Sequence, residues 1–136
     1  MAIDAFVQTL LNADHSLEWM GIVVTHAEGG IATAELDVTA NMANGSGIAH
    51  GGVVFALADT AFAMAANSVI HGAPTADASI VYLAPGRIGV KLVASAHVTY
   101  ADARKAIVDV TVSSGERTVA VYRGTARASR PSAPRA

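Results

Sequence analysis

The stretch from residue 50 to about residue 70 constrains this chain more than any other part of it. Starting at His50 it reads HGGVVFALADTAFAMAANSVI, with one charge, Asp59, near its middle. Val53, Val54, Phe55, Leu57, Phe62 and Met64, among many alanines, spread around the whole circumference of a helix rather than along one stripe. Such a helix is either buried on all sides or crosses a membrane. Residues 51–70 are twenty in number, close to the length of a span. However, a charge at mid-span is costly, and Thr60, Asn67 and Ser68 add polarity after it. No membrane insertion is expected.

The flanks say what buries the helix. Residues 5–11 look helical, and Asp14-His15-Ser16 starts a second short helix reaching Met20. Ile22, Val23 and Val24 read as a strand, and Glu28-Gly29-Gly30 is a turn signal. From residue 31 to 38, Ala32, Ala34, Leu36 and Val38 alternate with Thr33, Glu35 and Asp37, the period of a half-buried strand. Residues 41–49 form a loop rich in Asn, Gly and Ser, and His71-Gly72-Ala73-Pro74 ends the long helix. Strands follow at 78–83, 90–98, 106–113 and 118–126, separated by turn signals such as Pro85-Gly86 and Ser114-Gly115-Glu116. Strands joined by short turns imply antiparallel pairing. A curved antiparallel sheet wrapped around one long central helix meets these demands: an α+β chain of hotdog architecture. With 136 residues, no repeat and no linker, residues 1–128 read as a single domain. Residues 129–136, SRPSAPRA, are expected to be a disordered tail.

Composition narrows the function. A net charge of −2 argues against nucleic-acid binding, which rests on basic surface. The absence of cysteine excludes disulfides and thiolate catalysis. The five histidines, at 15, 26, 50, 71 and 97, lack ligand spacing, so neither a metal nor a resident cofactor is expected. The first residues carry no basic, long apolar leader, which points to the cytoplasm. The apolar excess is mostly Ala and Val. A core of such small residues implies close backbone approach, or surface covered by another subunit.

Asp59 is the most informative residue. A carboxylate on an apolar helix must be paired, hydrated or functional, because burying it bare is expensive. His50-Gly51-Gly52 opens the same helix. Glycines let a ligand approach the backbone, and the free N–H groups and positive dipole end of a helix start suit an oxyanion. A structural aspartate and an ordinary glycine-rich loop are the plain alternatives. Gly51 and Asp59 are eight residues apart, about 12 Å along a helix axis. Acting on one carbonyl together, they would have to come from two chains. The spacing therefore predicts a homodimer with active sites at the subunit interface.

The run Asn44-Gly-Ser-Gly-Ile-Ala-His50-Gly-Gly-Val-Val-Phe55-Ala-Leu57-Ala-Asp59-Thr-Ala-Phe62-Ala-Met-Ala-Ala-Asn67-Ser68 resembles the signature of the PaaI-like hotdog acyl-CoA thioesterases. These are the thioesterases of phenylacetate degradation, related to the 4-hydroxybenzoyl-CoA thioesterases. Strand order and the Tyr82-Leu83-Ala84-Pro85-Gly86 turn extend the similarity over most of the chain.

The resemblance implies hydrolysis of acyl-CoA thioesters, aryl-acetyl or hydroxyphenylacetyl-CoA first and medium-chain acyl-CoA second. Asp59 matches the family's general base or nucleophile, and Gly51 the glycine whose N–H polarises the carbonyl. His50 and Asn44 match residues that shape the loop and help hold the carbonyl or water. Some relatives carry a hydroxyl one turn after the acid, where this chain has Ala63. Others supply one from the segment after the helix, for which Thr75, or with a shift of register Ser79, is the candidate. Arg87, Arg104 and Lys105 are candidates to hold the coenzyme A phosphates. Gly52 and Phe55 are candidates to line the substrate site. Coenzyme A enters only as part of substrate and product, and a homotetramer is the expected assembly. An acyl-CoA hydratase or dehydratase and a non-catalytic acyl-CoA binding module are the alternatives. His50 preceding Asp59, rather than following it, favours hydrolysis.

Overall fold

A computed structural model describes residues 2–129. Two short helices open it. In α1 (Ala5–Ala13) the Asp4 carboxylate caps the N–H groups of Phe6 and Val7. α2 (Ser16–Met20) ends at Gly21, whose φ of 73° only glycine adopts readily. A hairpin follows, β1 (Ile22–Glu28) and β2 (Ile31–Asp37). The long helix α3 (Gly51–Asn67) comes next, then β3 (Thr75–Tyr82), β4 (Lys91–Ala101), β5 (Lys105–Ser114) and β6 (Arg117–Arg127). The six strands form one antiparallel sheet in the order β1-β2-β4-β5-β6-β3. α3 packs against it, as the expected sheet-around-helix architecture requires. No helix among the described residues is long and apolar enough to cross a membrane.

Small residues make this packing close. Ala58, Ala61, Ala65 and Ala66 of α3 meet Ala32, Ala34, Ala94 and Ala120 of the sheet in one buried cluster. Phe62 is the largest fully buried side chain, and it lies over Gly124 of β6. A Cβ on residue 124 would stand 2.7 Å from the Phe62 ring, inside any real contact distance. Gly124→Ala is therefore expected to cost roughly 1–3 kcal/mol of stability, the usual range for overpacking a tight core. Urea unfolding of the two proteins measures this difference.

Several boundaries differ from the sequence-based expectation. α3 stops at Asn67, not at residue 70. The Asn67 side chain accepts from the N–H groups of Gly72 and Ala73 and donates to the carbonyls of Ala63 and Ala73, which turns the chain out of the helix. β3 begins at Thr75, three residues before the expected start. The expected tail lies outside the described residues except for Ser129, whose carbonyl accepts from Arg104.

One correction bears on function: α3 is not buried on all sides. Gly52 is exposed, and Ala56, Asp59 and Ala63 are only half-buried. Their spacing of four, three and four residues places them on a single stripe. The stripe stays open because the sheet covers only part of the helix. β3, the strand at the sheet edge, scarcely touches α3, and its residues are exposed from Thr75 to Ser79.

Candidate active site

The helix start is built by the loop before it. Asn44 Oδ1 accepts from the N–H groups of Ser46 and Ile48 at 2.9 and 3.4 Å. The Asn44 N–H donates to the Ile48 carbonyl at 2.7 Å, closing the turn. The side-chain amide N–H groups of Asn44 are left without a partner among the described residues. His50 then caps α3. Its backbone is extended, with φ −56° and ψ 138°, and its Nδ1 accepts from the Gly52 N–H at 2.8 Å. That bond places the ring proton on Nε2.

A helix start leaves four N–H groups without an intrahelical partner. In α3 the Met42 carbonyl takes that of the cap residue His50, the His50 side chain takes that of Gly52, and the His50 carbonyl takes that of Val53. Gly51 alone keeps a first-turn N–H with no partner among the described residues. It sits at the positive end of the helix dipole, where a developing negative charge is stabilised.

Asn44 and Gly51 line one cleft of about 500 Å3 together with Val54, Tyr82, Pro85 and Gly86. The Tyr82 hydroxyl donates to the Gly51 carbonyl at 2.8 Å, and its ring would be 3.2 Å from any Cβ on residue 51. Glycine at 51 thus lets the ring lie against the helix start. Arg87 follows Gly86 and bridges to Ile48, which puts it beside this cleft.

Asp59 lies two turns further along α3, half-buried on the open stripe. Its Oδ1 accepts from the Tyr122 hydroxyl at 2.7 Å. Tyr122 is buried on β6, edge-on to Phe55 at 5.4 Å and tilted against Phe62 at 5.6 Å. Burial, and then the Asp59 carboxylate, push the Tyr122 phenol far above the ordinary tyrosine range, so it stays a donor. Phe55 therefore stands beside the carboxylate. Tyr122 is absent from the sequence-derived candidates. The signal for it is a polar-tipped aromatic at an inward strand position, and it becomes useful only once the register sets that position across from Asp59.

The remaining candidates separate. In the β3–β6 register Thr75 pairs with Ala126, whose side chain is buried toward α3. Ser79 pairs with Arg123, on the outer face of the sheet with Asp109 and His97. Thr75 is thus the hydroxyl on the helix side. Arg104 and Lys105 sit on the β4–β5 turn beside Arg127, the Thr75 end of β3. Gly51 lies by Tyr82 at the other end of that strand, so one chain does not bring those two basic residues to its own Gly51. Among the described residues no group of three His, Asp or Glu side chains is placed to hold a metal ion.

Comparison with known proteins follows the same lines. The model of the thioesterase superfamily matches residues 46–121. Acyl-coenzyme A thioesterase PaaI of Escherichia coli (strain K12) is 39% identical over 106 residues, covering 77% of this chain and 76% of its own length. The structure of E. coli PaaI superposes with a TM-score of 0.89 over 96% of this chain and 99% of that one, at 30% identity. A structure of the phenylacetic acid degradation protein PaaI from Thermus thermophilus gives a TM-score of 0.81 at 33% identity, covering 84% of this chain and 98% of its own. A Streptococcus mutans protein solved with acetyl CoA gives 0.77 at 26% identity, covering 82% and 91%.

Proposed function

The chain belongs to the thioesterase superfamily, and we propose that it hydrolyses acyl-CoA thioesters to the free acid and coenzyme A. The observation that carries this reading is the unpartnered N–H of Gly51 at the start of a helix that also bears the Asp59 carboxylate. The name of the E. coli relative and the acetyl CoA in the S. mutans structure support the substrate class.

The thioester oxygen accepts from the Gly51 N–H, and the helix start stabilises the negative charge it gains. The Asn44 amide and His50 Nε2–H are further donors on the same loop. Asp59 takes a proton from water as the water oxygen attacks the carbonyl carbon. The tetrahedral adduct then collapses, the C–S bond breaks, and the proton passes to the departing thiolate. Direct attack by Asp59 on the carbonyl carbon instead breaks the C–S bond, releases the coenzyme A thiolate and gives an acid anhydride; water then cleaves the anhydride, restoring the Asp59 carboxylate and freeing the acid, and the proton released passes to the thiolate. Thr75 orients the water. The acyl group is aryl-acetyl or hydroxyphenylacetyl, with medium-chain acyl groups second.

The working unit is a homodimer. Gly51 and Asp59 are about 12 Å apart on one rigid helix, too far for one carbonyl to meet both. β3 is an edge strand of eight residues, paired with β6 on one side and with no strand on the other among the described residues, and it exposes Val81 and Tyr82, with Leu83 just after it, a surface that proteins normally cover. Two-fold antiparallel pairing along β3 sets the Tyr82 end of one strand beside the Thr75 end of its partner. It carries the partner's Thr75, Arg104 and Lys105 toward the cleft of the first chain. Arg87 of one chain and the Arg104 and Lys105 of the other then face the coenzyme A phosphates. Pairs of dimers form the homotetramer.

A panel of acyl-CoA esters with free-thiol detection tests the reaction. Thiol release is expected. Hydration of an enoyl-CoA without thiol release would make the chain a hydratase, and binding without turnover would make it a binding module. Tyr122→Phe keeps the ring contacts and removes the hydroxyl that aims Asp59. It is expected to lower kcat roughly tenfold, with KM near the parent value, because a misaimed group loses orientation rather than binding. Steady-state kinetics with the best ester of the panel measure it.

A further inference from the structure

The sheet has two edge strands, β1 and β3, and the molecule treats them oppositely. No strand among the described residues lies beyond β3. Beyond β1 runs the segment of residues 2–4, in which Ile3 bridges Ala27 in the parallel sense. The Ala27 N–H donates to the Ala2 carbonyl at 3.0 Å, and the Asp4 N–H donates to the Ala27 carbonyl at 2.7 Å. Both edge-facing backbone groups of Ala27 are thereby taken. We infer that residues 2–4 are a strap that withholds β1 from a second copy of this chain, and that opening the strap turns β1 into a self-association surface.

Each residue of the strap is tied down. The Ala2 N–H donates to His26 Nδ1 at 3.2 Å. Ile3 is half-buried and packs against the core. The Asp4 carboxylate caps α1, whose Val7 is fully buried. The same carboxylate faces His71 Nε2 at 3.8 Å, just past the end of α3, and the Phe6 ring stacks on the His71 ring at 4.4 Å. The strap is thus joined to β1, to α1 and to the turn after α3, so it stays on the edge although only one bridge holds it there.

Symmetry explains why so short a strap is enough. Two copies that join edge to edge about a two-fold axis pair antiparallel. The Ala27 end of one β1 then lies beside the Ile22 end of the other. A block at Ala27 therefore closes both ends of the shared ladder. The register shift between Val24 and His26 bends the strand between those ends, a second feature that opposes pairing. The guarded strand is otherwise adhesive, since Val23 is 59% exposed on it. The consequence of opening it rests on the β3 pairing proposed above. A dimer joined through β3 carries one β1 edge at each end of its combined sheet. With both edges open, each dimer adds another at either end, and growth does not close.

Ile3→Glu places a charge where the strap packs on the core and leaves the Asp4 cap in place. Light scattering over a range of protein concentrations, beside circular dichroism to check folding, tests the inference. The folded variant is expected to grow with concentration to about fivefold the parent mass or more. Should that chain fail to fold, Ile3→Ser removes the apolar anchor more gently and carries the same expectation. A folded variant that keeps the parent mass overturns the inference. A second substitution, Val23→Lys, then sets a charge on the exposed edge itself. The double variant is expected to return to the parent mass. Growth that persists in it runs through some other surface and overturns the inference. A single doubling of mass that goes no further, abolished by Val23→Lys, keeps the β1 surface and removes the β3 pairing.

Discussion

Asp59→Asn is expected to fold as the parent does and to lose about 10²–10⁴-fold in kcat, the range for removing a general base. The substitution keeps the shape of the side chain. The amide oxygen can still accept from the Tyr122 hydroxyl, the one hydrogen bond of the carboxylate among the described residues. The side chain is only partly buried and its partner Tyr122 is a neutral phenol, so no buried charge is left unpaired. A single-turnover thiol assay beside a thermal unfolding curve separates chemistry from folding. Full turnover in a folded Asp59→Asn protein would remove Asp59 from the reaction.

Gly51→Pro acts on the electrophile side with similar selectivity. Proline is well placed at the first position of a helix, where its missing N–H breaks no intrahelical bond. His50 already holds the extended backbone that a residue before proline requires. The ring of residue 51 would press on Tyr82, which is half exposed and sits on the edge strand, where it has room to move. The substitution therefore deletes the one first-turn N–H that lacks a partner among the described residues, and little else. A loss of about 10²–10³ in kcat is expected, as for a missing oxyanion donor. Circular dichroism checks that α3 survives. If kcat is kept, the carbonyl is polarised by another group.

How much of this is legible in the sequence depends on what kind of signal each feature leaves. The central helix is plain because its apolar residues cover every side and Asn44 through Ser68 form a continuous motif. The open stripe through Gly52, Ala56, Asp59 and Ala63 is not, because an alanine buried by a strand and an alanine left for another surface are the same letter. Tyr122 is hidden for a related reason. Its partner Asp59 is 63 positions away, and only the strand order that seats β6 against α3 brings them together. The placement of β3 beside β6, out of chain order, also puts Thr75 on the helix side of the sheet and Ser79 on its outer face, and seats Arg104 and Lys105 at the Thr75 end of β3. Turn residues announce exposure but not which end of a sheet they occupy. Asn67 shows the limit at helix ends: its apolar successors Val69 and Ile70 continue the pattern, yet its side chain turns the chain away.

The central claim is that each active site takes Gly51 from one chain and Asp59 from another. Mixing Asp59→Asn and Gly51→Pro chains in equal amounts, under conditions where subunits exchange, tests it most directly. Each variant alone is nearly inert. With composite sites, random exchange leaves about a quarter of all sites with both groups intact, so about a quarter of the parent activity returns. Sites built within one chain would always contain one defect, and a mixture with no more activity than its components would contradict the claim.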